Sequence, residues 1–129
     1  MNRKQHDEFI KERGRKGEKT VCEYLVNKGY KIVCTNYHSR YGEIDIIAEN
    51  DSVIAFVEVK TRKNNSIVSG LESINYTKIR KIVLTLLDYT TKHNTTKQPR
   101  IDCAAVTVSC KGEEVLYIEN AVENPEDYC

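Results

Sequence analysis

"GEIDIIAENDSVIAFVEVKTR", residues 42–62, decides how this chain folds: two runs rich in apolar and β-branched residues flank the turn-forming triplet "NDS". The spacing predicts an antiparallel hairpin with Asp51 and Ser52 at its tip. Four charges, Glu43, Asp45, Glu58 and Lys60, stand among these apolar residues. Residues of one parity share a strand face, which assigns Glu43, Asp45 and Ile47 to one side and Ile44, Ile46 and Ala48 to the other. A two-residue loop then sets Ile47 opposite Phe56, Asp45 opposite Glu58 and Glu43 opposite Lys60. Facing carboxylates destabilise a sheet. A hard divalent ion reverses that balance, because Mg2+ and Mn2+ take carboxylate and phosphate oxygens, and Asp45 and Glu58 are the candidate ligands. Lys60 would stabilise charge developing on a phosphate, or orient and help deprotonate a metal-bound water. The structural alternative pairs Asp45 with Lys60 and leaves Glu58 at an exposed edge. The apolar setting of "VIAFVEVK" favours a site for phosphodiester hydrolysis, since buried charge without a partner is costly.

Upstream of the hairpin, residues 6–28 predict a helix in which Val21, Leu25 and Val26 recur at three- and four-residue intervals, weakened at Gly14 and Gly17 and stopped at Gly29. "YKIVCTNY", residues 30–37, reads as a strand. Downstream, residues 63–73 form a polar loop with Gly70, and Tyr76 to His93 predict a second helix with Ile79, Ile82, Val83, Leu86 and Leu87 on one stripe. After "NTTKQP" come "IDCAAVTVS", a Lys111-Gly112 turn and "EVLYIEN", two more strands. The order α-β-β-β-α-β-β, with strands apolar on both faces, asks for an α/β sandwich on a mixed sheet covered on two sides. One domain over residues 1–122 and a loosely ordered acidic tail over 123–129 are expected from the 129-residue length.

Composition narrows the function classes. No apolar run approaches the ~20 residues of a membrane span, and "MNRKQHDEFIKERGRKGEK" lacks the apolar segment of a signal peptide, so a cytoplasmic protein is expected. Five cysteines at wide spacings, Cys22, Cys34, Cys103, Cys110 and Cys129, suggest neither a disulfide framework nor a zinc site, and the inner four read as buried small hydrophobes. His6, His38 and His93 read as solvent-exposed. Residues 1–100 carry 19 Lys and Arg against 12 Asp and Glu, whereas residues 101–129 carry 1 against 7. A basic body of this kind suits a polyanionic partner.

Asp45, a spacer of twelve residues and then Glu58-Val59-Lys60 resemble the motif of the restriction-endonuclease-like superfamily, an Asp followed by (D/E)-x-K on the next strand. More closely, residues 14–62 are similar to the small bacterial YraN-like family, related in fold to archaeal Holliday-junction resolvases, and the resemblance extends over about residues 14–110. It implies an αβββαβ nuclease core and a Mg2+- or Mn2+-dependent endonuclease acting on DNA, with branched or structured DNA as the suspected substrate. It also implies Glu18, in the G-x-x-G-E run, as a further catalytic and metal-site carboxylate beside Asp45, Glu58 and Lys60, and the Val59 carbonyl as an additional ligand. Lys78 matches a basic position near the phosphate at the start of the second helix. Arg40, Arg62, Lys63, Arg80 and Lys81 would extend the phosphate-contacting surface. Tyr37 and Tyr41 flank the first turn, where stacking on a base is open and core or turn packing is favoured for Tyr37, and Asp102 reads as structural, pairing with Arg100 or a helix end, with metal binding as the lesser alternative. A homodimer is implied because a four-way junction needs two cuts. The rival readings are a non-catalytic DNA-binding or repair-associated scaffold of the same fold and, more remotely, a metal-dependent RNase.

Overall fold

The computed structural model describes residues 2–63 and 75–129, with the side chains of residues 6–14 and of Arg62 and Lys63 left aside. Helix α1 runs Arg3–Asn27, β1 Lys31–Ser39, β2 Gly42–Glu49 and β3 Val53–Lys63. Helix α2 follows at Tyr76–Lys92, then β4 at Gln98–Ser109, β5 at Gly112–Ile118 and a single 3-10 turn at Pro125–Tyr128. The predicted loop with Gly70 lies mostly outside the described residues. The α1 boundary is earlier than the periodicity implies, because a capping box closes its start: Asn2 Oδ1 accepts from the Gln5 N–H while the Asn2 N–H donates to Gln5 Oε1. The helix stops before Gly29, whose φ of +92° suits glycine alone.

The strands form one mixed sheet in the order β1-β2-β3-β4-β5, antiparallel throughout except between β3 and β4, which run parallel from Val53↔Gln98 to Lys63↔Val108. This is the α/β architecture with the αβββαβ order of a restriction-endonuclease-like core. A parallel pair needs a crossover, and the segment carrying α2 supplies it. Each helix covers one face. Val21 and Leu25 of α1 pack with Ile46, Ala48, Ala55, Val57, Ala104 and Val106. Ile82, Val83, Leu86 and Tyr89 of α2 pack with Ile44, Ile47, Ile54, Phe56 and Ile101. Val26, expected on the buried stripe, is 56% exposed, because the stripe of α1 narrows to positions 21 and 25. Leu87 likewise faces outward at 42% exposure.

The hairpin has the expected tip. The Asn50 N–H donates to the Val53 carbonyl, and Asn50 Oδ1 accepts from the N–H groups of Ser52 and Val53. Ile47 faces Phe56 as the even loop requires, but the ladder ends at Ile46↔Val57. Beyond that pair β3 stays with β4 and parts from β2, so the opposition of Asp45 to Glu58 and of Glu43 to Lys60 is not continued as sheet pairing. The face assignment also changes there: Ile44 joins Ile47 in the α2 cluster while Ile46 turns to α1. Strict alternation is thus broken at Asp45, beside Asn36 of β1, whose left-handed φ of +52° interrupts the neighbouring ladder.

Candidate metal and phosphate site

The parting of β2 from β3 opens a recess of about 460 Å³ bounded by the start of α2. Asp45 and Glu58 line it from the sheet, and Asn75, Thr77, Lys78 and Lys81 from the helix. Asp45 takes up a backbone group freed by the end of the ladder: its Oδ2 accepts from the Val59 N–H at 2.8 Å. This bond anchors the carboxylate to the strand that carries Glu58 and Lys60. Burial pushes the Asp45 carboxyl up to about 7, and the charge of Glu58 adds to the rise against the lowering effect of the Val59 N–H. Asp45 and Glu58, with Glu43 also lining the recess, therefore hold negative charge at a cost that a cation would relieve.

Two ammonium groups already answer part of it. Lys78 Nζ lies 2.8 Å and Lys60 Nζ 3.5 Å from the same oxygen, Glu58 Oε1. The structural alternative of an Asp45–Lys60 pair with Glu58 exposed is corrected, since Glu58 is the partner of both lysines and its side chain is only 13% exposed. Burial lowers the Lys60 ammonium below its ordinary value, helped by the neighbouring Lys78. For Lys78 burial, the largest single influence, also works downward, but the hydrogen bond to Glu58, the contact with Lys60 and the charges of Glu58 and Asp45 together outweigh it and the net shift is upward.

Glu18 approaches from α1. A Cβ on Gly17 would land on the Thr61 side chain, so glycine is what lets α1 lie this close to β3. The Glu18 carboxylate accepts from Asn36 Nδ2 at 3.1 Å. Burial raises its carboxyl above the ordinary value, the Asn36 bond opposes this, and the charges of Glu43 and Glu58 add to the rise. Among the described residues no three His, Cys, Asp or Glu side chains close around a single point. The carboxylates that line the recess are Glu43, Asp45 and Glu58, hard oxygens of the type that Mg2+ and Mn2+ take together with water and phosphate.

The remaining sequence-predicted residues divide. Lys78 and Lys81 line the recess. Arg40 sits at the β1–β2 turn with its guanidinium 4.8 Å from the Tyr41 ring centre, and Arg80 is exposed on α2. The Arg62 and Lys63 side chains lie outside those described. Tyr37 is packed rather than free for stacking: its hydroxyl donates to Asp88 at 2.9 Å and its ring meets Tyr89 edge-on. Asp102 is fully buried and pairs with Arg100 as expected, with further bonds from the Tyr117 hydroxyl and the Asn120 N–H. The inner cysteines are corrected: Cys103 is buried, Cys22 and Cys34 are half-buried and Cys110 is exposed in the β4–β5 turn, where no core reaches. All five are free thiols. Burial, with the Glu58 charge, pushes Cys103 up to about 11, which makes it a resting thiol rather than a nucleophile. His38 and His93 are exposed, and the side chain of His6 lies outside those described. Sequence reasoning missed Asn36 as the holder of Glu18; its signal was an Asn inside a strand, the residue type that tolerates left-handed backbone.

These features define a small α/β domain of restriction-endonuclease-like order with a carboxylate and lysine recess where β2 leaves β3. No described helix is long and apolar enough to cross a membrane. The chain belongs to the uncharacterised protein family UPF0102, whose family model matches residues 17–106, a span holding Glu18, Asp45, Glu58, Lys60 and Lys78. It is 45% identical over 111 residues to the UPF0102 protein SYO3AOP1_0546 of Sulfurihydrogenibium sp. (strain YO3AOP1), covering 85% of this chain and 93% of the relative. It is also 37% identical over 113 residues to a UPF0102 protein of Dichelobacter nodosus, covering 87% and 90%.

Proposed function

We propose that this protein is a Mg2+- or Mn2+-dependent phosphodiester hydrolase acting on DNA in the cytoplasm, with branched or structured DNA as its substrate. The observation that carries the reading is the sharing of one half-buried recess by Asp45, Glu58 and Lys78 at the parting of two strands, with Lys60 paired to Glu58 beside it, where a purely structural hairpin would be apolar. The residues present fit a hard divalent ion. Asp45 and Glu58 would hold it, with Glu18 and the Val59 carbonyl as further oxygen donors on the superfamily pattern. Such an ion supplies Lewis-acid polarisation of a phosphate and a more acidic water. Lys60, 19% exposed and fixed beside Glu58, stabilises negative charge gathering on the scissile phosphate. Lys78 and Lys81, on the helix side of the recess, hold the phosphate backbone, and Arg40, Arg62, Lys63 and Arg80 extend its track.

The second reading is a DNA-binding scaffold of the same fold, favoured by one observation: Lys60 and Lys78 already neutralise Glu58, so the fold is internally satisfied. Labelled four-way junction, flap, single-stranded and duplex DNA, incubated with the protein in Mg2+ or Mn2+, separate the two. Cleavage that requires the metal and is lost in Glu58→Ala and Lys60→Ala supports the hydrolase. Binding without cleavage on every substrate supports the scaffold, and cleavage confined to RNA would redirect the assignment.

A further inference from the structure

Glu58 Oε1 receives two ammonium groups of unequal freedom. Lys60 is two residues away on the same strand, and its side chain is 19% exposed at 3.5 Å. Lys78 comes from a different element, closes to 2.8 Å, and its side chain is 37% exposed. Its backbone is fixed independently of that contact, since the Lys78 N–H donates to the capping oxygen of Asn75. The side chain can therefore leave Glu58 for the mouth of the recess while α2 stays in place. An ammonium on a carboxylate oxygen occupies the position in which a metal ion would seek its ligand. A divalent ion beside it would add repulsion between like charges that water screens poorly in a half-buried recess.

We infer that Lys78 is an internal counter-ion that occupies Glu58 in the metal-free protein, gives up that oxygen when a divalent cation binds, and is thereby released toward a substrate phosphate. The inference rests on the metal-dependent reading of the recess and adds its regulation: cation and polyanion each favour the same displaced position of one side chain, which couples their binding. Lys81 lines the same recess with no ion pair to Glu58, so it reports what a change of net charge alone does.

The test titrates Mn2+ alone, without DNA, into the wild-type protein and the Lys78→Met and Lys81→Met variants, following free Mn2+ by electron paramagnetic resonance. Each variant's unfolding transition is recorded to show that it folds. The expected result is an Mn2+ affinity roughly three- to tenfold tighter in Lys78→Met, the size set by loss of a competing half-buried ion pair. Lys81→Met should stay within about twofold of wild type. Equal or weaker Mn2+ binding by a folded Lys78→Met, beside a wild type that binds, overturns the counter-ion role and leaves the metal-dependent reading standing. Equal tightening in both variants overturns it too, in favour of a general charge effect. No Mn2+ binding by wild type or Lys78→Met overturns the inference together with the reading beneath it, and binding by Lys78→Met alone supports both.

Discussion

At the scale of single residues, Asp45 is the group whose chemistry depends most on its surroundings. An unfolded aspartate releases its proton near pH ~3.9, whereas burial and the Glu58 charge hold the folded carboxyl up to about 7. Between those values the folded state binds more protons than the unfolded state, so this group's stabilising contribution is present at low pH and lost as pH rises through the window. Asp45→Asn keeps the acceptor for the Val59 N–H and removes the titration. In EDTA, urea unfolding should find the variant gaining on wild type by about 2 kcal/mol between pH 5 and pH 8. Parallel pH profiles for the two proteins would contradict the burial of this charge. Asp45, Glu58 and Lys60 were legible in the sequence because each stands at a position that apolar neighbours mark as part-buried, as each is, whereas Glu43 lies exposed. The partner of each was not. Lys78 is 20 residues beyond Glu58, and only packing of α2 against the sheet brings its ammonium to 2.8 Å.

At the scale of elements, β4 is tied down by one buried acid. Asp102 accepts from Arg100 Nε with both oxygens and from Nη2 with Oδ2, and also from the Tyr117 hydroxyl and the Asn120 N–H, while Arg100 also reaches the Tyr30 hydroxyl. The start of β4 and the end of β5 thus converge on a carboxylate with no exposure, and Arg100 links the α1–β1 connection to it through Tyr30. The Asp102 bond raises the Arg100 guanidinium further, and burial followed by the Asp102 bond raises Tyr117. Asp102→Ala, which strands Arg100 and the Tyr117 hydroxyl, should cost about 3–5 kcal/mol in urea unfolding. The joint replacement Arg100→Met with Asp102→Leu should recover part of that loss. A single-variant cost under about 1 kcal/mol would mean that the network does not secure this end of the sheet. The pairing of Asp102 with Arg100 was readable from i, i+2 spacing on a strand, whereas the bonds from Tyr117 and Asn120 to Asp102, and the bond from Arg100 to Tyr30, depend on distant parts of the chain meeting.

At the scale of the whole molecule, the charge asymmetry and the chain end lie together in an informative way. The acidic last 29 residues supply β5 and return to α2, where the Tyr128 ring lies 5.1 Å from that of Tyr76 and packs against the core cluster. Tyr76 opens α2 next to the recess-lining Asn75, Thr77 and Lys78. Tyr128→Ala should lower the thermal midpoint by roughly 3–5 °C, the effect of losing about 1 kcal/mol of aromatic contact in a domain of this size. An unchanged midpoint would show that the Pro125–Tyr128 turn adds nothing to the fold.

Local pattern alone set the elements, their order and the faces of most strand residues, because apolar period and turn chemistry act over a few residues: "NDS" sets the hairpin tip and Ile47 opposite Phe56 whatever the rest of the chain does. It also marked Asp45, Glu58 and Lys60 as residues out of place in a core. Tertiary packing sets where β3 parts from β2, after Val57, while its other edge stays paired with β4 as far as Lys63. That divergence opens the recess, turns Ile44 to the α2 face, and gives the Val59 N–H to Asp45. β2 and β4 hold opposite edges of β3, so how far each stays paired is an energy of the assembled sheet and its covering helices that no local pattern encodes.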